Sequence, residues 1–495
     1  MKFIILFLLS FMILGSGIVT AQNHIEALRY SQNFYQSDAR ALGMGNAMGA
    51  VGGSFIGSIL NPAGLAISKR NEIFITPALI QTNANSLYRG NMESDGAGGM
   101  RIGNAGISLT TLNYSLGKLV TEGWVNYTFA FGFNRTNDFH QNTFYAGFNQ
   151  DNSIMQALAL DAQGIDPLDF EDYNSRESQA YFAYLINPVG GQEPFEYYTA
   201  LDDSAIDIVQ QKSIQRRGAA NDITFSFAAN YSNKLYLGLT LGIPTIGFHE
   251  RSTYREVNRN PEETNFESLE LRESIDTRGF GVHGIFGLIY RPSAAARFGL
   301  SVETPTNFRI NDNYSFSTTS ELLIDDDGTF TSDEGEFDYN LTTPLKLRTS
   351  GAFFFEDNGF LSVDYMFSNI SKSSLTSDLY DFFSENRNIE NFYRSVHDVK
   401  FGGEFRYDTY YLRAGLGFAT TPFNDDLVPK AANSSSRSYS LGGGFRENNV
   451  FLDLGWQLTS RKEFEVPYEL GETAVPGAEM RMNRNLFLLT IGTRF

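Results

Sequence analysis

The sequence predicts an all-β chain: a 14-stranded antiparallel transmembrane β-barrel with an N-terminal segment plugging its lumen. Three observations carry that prediction. Segment after segment alternates apolar and polar residues, long and short connections alternate between those segments, and a glycine-rich stretch without alternation precedes the first of them. The alternation is plainest at Val125, Tyr127, Phe129, Phe131 and Phe133, interleaved with Asn126, Thr128, Ala130, Gly132 and Asn134. A strand with one greasy and one polar face suits a sheet wetted by lipid outside and water inside. The same phase recurs at Ile223/Phe225/Phe227, at Leu235/Leu237/Leu239/Leu241 and at Val450/Leu452/Leu454/Trp456/Leu458. Phe487, Leu489, Ile491 and Phe495 repeat it at the end of the chain.

Residues 1–21 read as a secretory signal peptide. Lys2 starts it, Phe3 to Leu14 form its apolar core, and Val19-Thr20-Ala21 is a small-residue cleavage site. No later segment approaches the roughly 20 apolar residues of a membrane helix. An exported chain that stays in a membrane must then do so as a closed barrel, because lipid cannot satisfy open backbone groups. The expected location is the outer membrane of a Gram-negative bacterium. The chain has no cysteine, which fits a disulfide-free passage through an oxidising periplasm and excludes a lipid anchor at the cleavage site. A net charge of −19 argues against nucleic acid as a partner. Aromatic residues make up 14% of the chain, with 25 Tyr against 2 Trp, as suits girdles at two membrane interfaces.

Residues 22–66 come next and do not alternate. They hold Ala39-Arg40-Ala41-Leu42-Gly43-Met44-Gly45-Asn46-Ala47, then Gly49, Gly52-Gly53 and Asn61-Pro62-Ala63-Gly64-Leu65. Such glycine density suits tight turns and close backbone approach. Met48 stands where a dinucleotide fingerprint needs glycine, no strand precedes the run, and no lysine occupies a P-loop position. A barrel this wide is not filled by its own side chains, so residues 22–66 are expected as its plug and residues 67–495 as the barrel. Pro62 restricts Asn61 to extended backbone, so Asn61-Pro62-Ala63-Gly64 is expected as a tight turn against the wall. Gly64 there is expected to use backbone angles closed to other residues.

Fourteen strands are expected near 71–84, 103–115, 124–137, 222–232, 234–258, 268–291, 295–325, 333–356, 359–372, 395–407, 410–420, 436–446, 449–461 and 483–495. Connections after even-numbered strands are short, from Leu116–Gly123 to Glu447-Asn448. Those after odd-numbered strands are mostly long: 85–102, 138–221, 373–394, 421–435 and 462–482. Short periplasmic turns and long outside loops give that phasing. The longest outside insertion, 138–221, has helix-like apolar spacing at Ile154/Leu158, at Tyr181/Tyr184/Leu185 and at Leu201/Ala205/Ile208. The strand faces opposite the lipid carry Lys346, Arg348, Asp364, Lys400, Glu404, Arg406, Arg413, Arg446 and Asp453. Mixed signs on neighbouring strands suit mutual pairing. Arg348, Arg406 and Arg413 are the candidates to hold a ligand carboxylate. The acidic stretch from Asp325 to Glu336 reads as a solvated loop tip, since counting back from Gly328 an EF-hand would start at Leu323. His24, His140, His249, His283 and His397 show no metal-ligand spacing and no nucleophile setting. Neither enzyme chemistry nor a cofactor or metal is expected.

The hatch run Ala39 to Ala47 and the Asn61-Pro62-Ala63-Gly64-Leu65 motif resemble the N-terminal hatch of the FadL/TodX family of outer-membrane transporters for long-chain fatty acids and other hydrophobic compounds. Thr343-Pro344-Leu345-Lys346-Leu347, Leu361-Ser362-Val363-Asp364-Tyr365 and Leu412-Arg413-Ala414-Gly415-Leu416 look like that family in sequence order. The resemblance implies a fourteen-stranded barrel plugged by a hatch, with Gly43, Gly45, Asn61, Pro62, Ala63 and Gly64 carrying the hatch motif. It implies ligand capture by outside loops and sideways exit through a wall gap made by an inward strand kink. The best-known members draw their capture groove from later loops, whereas here the 138–221 insertion is longest, with Leu158, Phe182, Leu185 and Ile186 as first contacts or as part of a structural lid. The expected function is passive uptake of fatty acids or similar hydrophobic small molecules. The alternatives are a protein-secretion shuttle on the same scaffold and a structural or adhesive barrel. Expected partners are a hydrophobic ligand, outer-membrane lipid with lipopolysaccharide, and the barrel-assembly machinery, with the protein itself a monomer.

Overall fold

The structure, a computed structural model, describes residues 24–32, 36–170, 172–190, 195–201, 206–323, 328–356, 358–424 and 433–495. The signal segment and Asp325-Asp326-Asp327 lie outside the described residues. Fourteen antiparallel strands close into one barrel. They are β1 (Glu72–Tyr88), β2 (Asn91–Leu112), β3 (Trp124–Asp138), β4 (Ile208–Tyr231), β5 (Leu235–Asn258), β6 (Phe266–Tyr290) and β7 (Ala296–Glu303 with Asn307–Leu322). The circuit continues with β8 (Gly335–Thr342 with Lys346–Phe354), β9 (Gly359–Asn369), β10 (Ser395–Tyr407), β11 (Tyr410–Ala419), β12 (Ser436–Glu447), β13 (Val450–Glu465) and β14 (Ala478–Arg494). Each strand pairs with its neighbour in sequence, and β1 pairs with β14 from Glu72↔Arg494 to Leu87↔Glu479, so no edge is left at the seam. Asn71 and Phe495 exchange two backbone hydrogen bonds at 3.1 Å and tie both ends of the barrel together.

The lipid-facing alternation appears as expected: Phe129 and Phe131 of β3, Phe225 and Phe227 of β4, and Leu237, Leu239 and Leu241 of β5 all face outward. Val125 does not, because a bulge between Trp124 and Asn126 turns it inward, where it is fully buried. The short turns use left-handed residues, Ser232 and Asn233 after β4 and Asn448 after β12.

Three expectations about the connections need correction. Residues 85–102 are not a loop. β1 and β2 run on as a hairpin whose two-residue turn, Arg89-Gly90, has φ of 46° and 85°. A strand beyond the lipid needs no apolar face, so the run through Gly96, Gly98 and Gly99 keeps its ladder without the pattern that marks a strand in the membrane. The insertion 138–221 is likewise shorter than expected: residues 141–149 form a strand along β4, which itself begins at Ile208. Finally, β7 and β8 are each interrupted, at Thr304-Pro305-Thr306 and at Thr343-Pro344-Leu345. Proline there removes a ladder donor, and threonine oxygens take up backbone N–H groups beside the breaks: Thr343 Oγ1 accepts from Thr306 N–H and Thr304 Oγ1 from Gly284 N–H, both at 3.0 Å.

Inside the barrel lie α1 (His24–Ser31), α2 (Ala39–Gly43), α3 (Gly57–Leu60) and a 3₁₀ turn, Pro62–Ile67. Below them, toward the short-turn end of the barrel, is a layer of charge. Glu404 accepts from Arg40 at 2.9 Å and from Arg413 at 2.7 Å, and Arg413 reaches Asp453 at 2.6 Å. Arg413 and Glu404 are both buried, so each charge depends on its partners rather than on water. Removing one partner of such a cluster costs roughly 3–5 kcal/mol. Glu404→Ala is therefore expected to lower the barrel's unfolding free energy by about that amount, read from denaturant unfolding of the refolded protein. An unchanged midpoint would contradict the pairing.

Candidate ligand passage

A passage through this barrel must get by the plug, so the plug's seat comes first. Its backbone is mostly irregular, and every buried N–H and C=O needs a partner. Much of it pairs within the plug, and the wall supplies further partners. Ser362 Oγ donates to Ala47 O, Ser301 Oγ to Leu60 O and Arg297 Nη1 to Val51 O, each at 2.6 Å. Asp364 Oδ2 accepts from Gly49 N–H at 2.9 Å, and Thr490 Oγ1 from Ala39 N–H at 2.8 Å. Where no side chain reaches, the wall is glycine. A Cβ on Gly238 of β5 would lie 2.3 Å from Ala63 N, and one on Gly415 of β11 would lie 2.3 Å from Gly45 N.

The hatch residues divide by role. Gly45 has φ of 63°, a left-handed turn residue. Gly43 closes on Gly442 of the wall, where a Cβ would come within 2.9 Å of Gly442 Cα. Asn61 is extended at φ −157° and caps the 3₁₀ turn that Pro62 opens, accepting from Ala63 N–H at 3.2 Å. Its amide donates to Gly49 O at 2.8 Å and to Leu288 O of β6 at 3.2 Å, tying plug to wall. The motif is thus a capped 3₁₀ turn rather than an isolated tight turn. Gly64 is there for contact, not for its backbone angles: its Cα meets Gly52, which is the left-handed residue.

At the far end of the plug from the charged layer, α1 lies in an apolar chamber. Ala27 and Tyr30 pack among Phe139, Ile246, Phe248, Phe308 and Tyr339, and α6 (Phe383–Phe392) closes the chamber through Ile389. Glu26 is buried with α1 and accepts from Tyr339 Oη at 3.0 Å. Burial pushes its carboxyl well above the usual range, with Asp312 adding to the effect and Arg29 opposing it. Beneath α1 is a cavity of about 30 Å³ lined by Tyr30, Ile246, Asp222, His283, Glu303 and Lys346 among others. That is room for about two water molecules, so the lumen at this level is shut to an acyl chain in this conformation.

The wall itself opens between β2 and β3. Their ladder runs from Leu112↔Asn126 to Asn104↔Asn134 and stops, while β3 stays paired with β4 up to Asp138↔Ala219. The continuing strand 141–149 passes on the lumen side of the β1–β2 hairpin. Inward-facing Tyr88 of β1 meets Tyr145 with ring centroids 5.0 Å apart. Plug residue Gln36 fills the fork, its N–H donating to Arg135 O at 3.0 Å. Gln36 and Asn104 are fully buried there, and none of their four amide atoms meets a protein partner.

On the outside, α4 (Ile154–Ala162) and α5 (Arg176–Phe182) form a cap. Ser153 and Gln156 make a capping box at the start of α4. Glu256 of β5 accepts from Ile154 N–H at 3.0 Å and from Tyr254 Oη at 2.6 Å. Leu158, Leu185 and Ile186 are interior to this cap, packed on Tyr254, Phe266 and Leu269, with Phe182 at its margin. They lie in the core of the cap, the placement that the structural-lid alternative calls for. Their spacing marked burial correctly, but only the fold shows that strands β5 and β6 do the burying. The lumen arginines also part company. Arg413 is committed to Glu404 and Asp453. Arg406 is exposed at the turn after β10, its Nε donating to Asp408 O at 3.1 Å, because alternation continues past the last lumen layer. Arg348 remains buried on the lumen face, its Nη2 3.6 Å from Met366 Sδ. Asp222 and His283, paired at 3.0 Å beneath α1, had no local sequence signal.

No protein-family model matches the chain, and no curated protein matches it. Solved structures do. A FadL homologue from Pseudomonas aeruginosa matches with a TM-score of 0.56 at 10% identity, over 92% of this chain and 98% of that one. The P. putida toluene transporter TodX matches with a TM-score of 0.52 at 12% identity, over 92% of this chain and 98% of that one. A TodX monoaromatic hydrocarbon channel carrying a deltaS2 mutation gives 0.54 at 11%, over 93% and 99%.

Two expected outcomes follow from the plug's contacts. Asn61→Ala removes a helix cap, one hydrogen bond within the plug and one to the wall, and should cost about 1–2 kcal/mol, seen as faster amide exchange at Ala63–Leu65. An acid with a raised folded pKa contributes stability that is lost as pH rises above its unfolded value. Seating of α1 should therefore be firmest below about pH 4.5, the ordinary glutamate range, and loosen above it. With no native cysteine, a spin label on Ile25→Cys reports this, and Glu26→Gln should flatten the pH response. Low identity over nearly the whole length of both chains means a shared architecture: the chain has the fold of the FadL and TodX channels.

Proposed function

We propose that the protein is an outer-membrane passive transporter for long-chain fatty acids or similar hydrophobic small molecules. The observation that carries this reading is a plugged barrel of the FadL/TodX fold whose lumen holds an apolar chamber next to a break in its wall. In this reading residues 22–66 are the hatch, 67–495 the barrel, and the cap at 150–207 the first barrier a ligand meets. A lipopolysaccharide leaflet dissolves such molecules poorly, so a protein route is useful. The ligand would enter beneath the cap, occupy the chamber around α1 and leave sideways at the β2–β3 fork once Gln36 withdraws. Arg348 is the lumen arginine that remains for a carboxylate; Arg406 and Arg413 are spent elsewhere. No covalent step or cofactor is involved.

The secretion-shuttle reading keeps one specific support, since the cavity beneath α1 is nearly shut. Binding separates the two. Each buried CH₂ gains roughly 0.8 kcal/mol, about fourfold in affinity. Purified protein in nanodiscs should therefore bind C8 to C16 fatty acids with steeply rising affinity and weak salt dependence. Affinity that ignores chain length, or no binding together with co-purifying exported proteins, would favour the shuttle.

A further inference from the structure

The cavity beneath α1 carries more chemistry than a water-filled gap needs. Glu303 and Lys346, opposite each other on β7 and β8, pair at 2.8 Å. Asp222 of β4 and His283 of β6 form a second pair, Asp222 Oδ2 to His283 Nε2 at 3.0 Å. Only half of that second pair is used. Asp222 Oδ1 and His283 Nδ1 meet no protein hydrogen-bond partner, although the residues are only 2% and 7% exposed. A buried charged oxygen left unpaired forfeits its hydration with nothing in return. The imidazole is held in place by a glycine: a Cβ on Gly242, its cross-strand neighbour, would lie 2.1 Å from His283 Nε2.

The hydrogen-bond inventory then restricts the occupant. If His283 is neutral with its proton on Nε2, both open atoms are acceptors. If it is charged, Nδ1–H is a donor and Asp222 Oδ1 an acceptor. In either state an acidic oxygen asks for a donor. An ionised carboxylate has none and would face Asp222 and Glu303. An ammonium would face Lys346, two residues from Arg348 on the same lumen-facing strand edge. A hydroxyl fits both states, donating to one open atom and, when His283 is charged, accepting from the other. The opposite wall of the cavity is Tyr30, Ile246 and Phe308, continuous with the apolar chamber of α1, so the body attached to that hydroxyl is apolar.

We propose that this cavity is the head-group site for a neutral, hydroxyl-bearing amphiphile, read by the Asp222–His283 pair. The proposal rests on the transporter reading and narrows its substrate class, away from anions and toward long-chain alcohols or similarly hydroxylated apolar molecules. Its alkyl body takes the place that the Tyr30 ring holds here.

The test is a head-group series at constant chain length: dodecan-1-ol, dodecanoate, dodecylamine and dodecane, titrated into the full-length protein in nanodiscs at pH 8. The alcohol should bind at least about fivefold tighter than each of the others, the worth of one net hydrogen bond. Asp222→Asn should cut that advantage to below about twofold. Gly242→Ala, which displaces the imidazole with every charge retained, should do the same. The wild-type series alone decides the matter if a variant fails to fold. Dodecanoate or dodecylamine binding as tightly as the alcohol overturns the proposal. So does equal binding of all four, which would mean that water alone satisfies the pair while the transporter reading stands. No binding of any of the four would overturn both.

Discussion

The plug's irregular backbone has to find its hydrogen bonds inside a barrel, and much of the architecture answers to that constraint. A strand pays its backbone obligations to its neighbours. A folded segment in a lumen has no such neighbours, so the wall must offer side chains at the heights where plug carbonyls and amides point. Arg297 and Ser301 of β7, Ser362 and Asp364 of β9 and Thr490 of β14 do this. Between them the wall falls back to glycine, because even a methyl group at Gly238 or Gly415 would strike the plug backbone. Seat and plug are therefore one complementary surface, and neither has its shape without the other.

The charges follow from the same confinement. Arg40 reaches out of the plug to Glu404, which also holds Arg413, which in turn holds Asp453. In a water-filled pore these groups would be solvated singly. Under the plug they are dry enough to need one another, and a chain of pairs locks α2 to the floor of the barrel. The Asp222–His283 pair, on the opposite side of the plug, is the contrasting case: paired on one edge and open on the other.

The wall is weakest where its neighbours leave it. β3 follows β4 instead of β2, so the strands fork at Asn104 and Asn134 and a plug residue takes the vacated position. The same inward path lets strand 141–149 support the β1–β2 hairpin from within and lets the chain continue into the cap. One displaced strand thus sets the fork, the hairpin's exposure and the root of the lid.

By itself the sequence determined the barrel. Lipid on one side and plug or water on the other impose a two-residue period on every strand in the membrane, and that period is local. β10 is read at 395–407 from pattern alone, and the even strand number follows from loop phasing. Asn61-Pro62 likewise announces a chain reversal through its own backbone restrictions. What only the tertiary structure decided lies where no local period operates. Residues 91–101 and 208–221 are strands because ladders outside the lipid require no apolar face. Leu158 and Leu185 share the composition of a groove and the position of a core. Arg406 and Arg413 sit on the same alternation, yet one ends at a short turn and the other beneath the plug. Which face a residue presents is set by its neighbours two places away; what it meets there is set by strands up to several hundred residues distant.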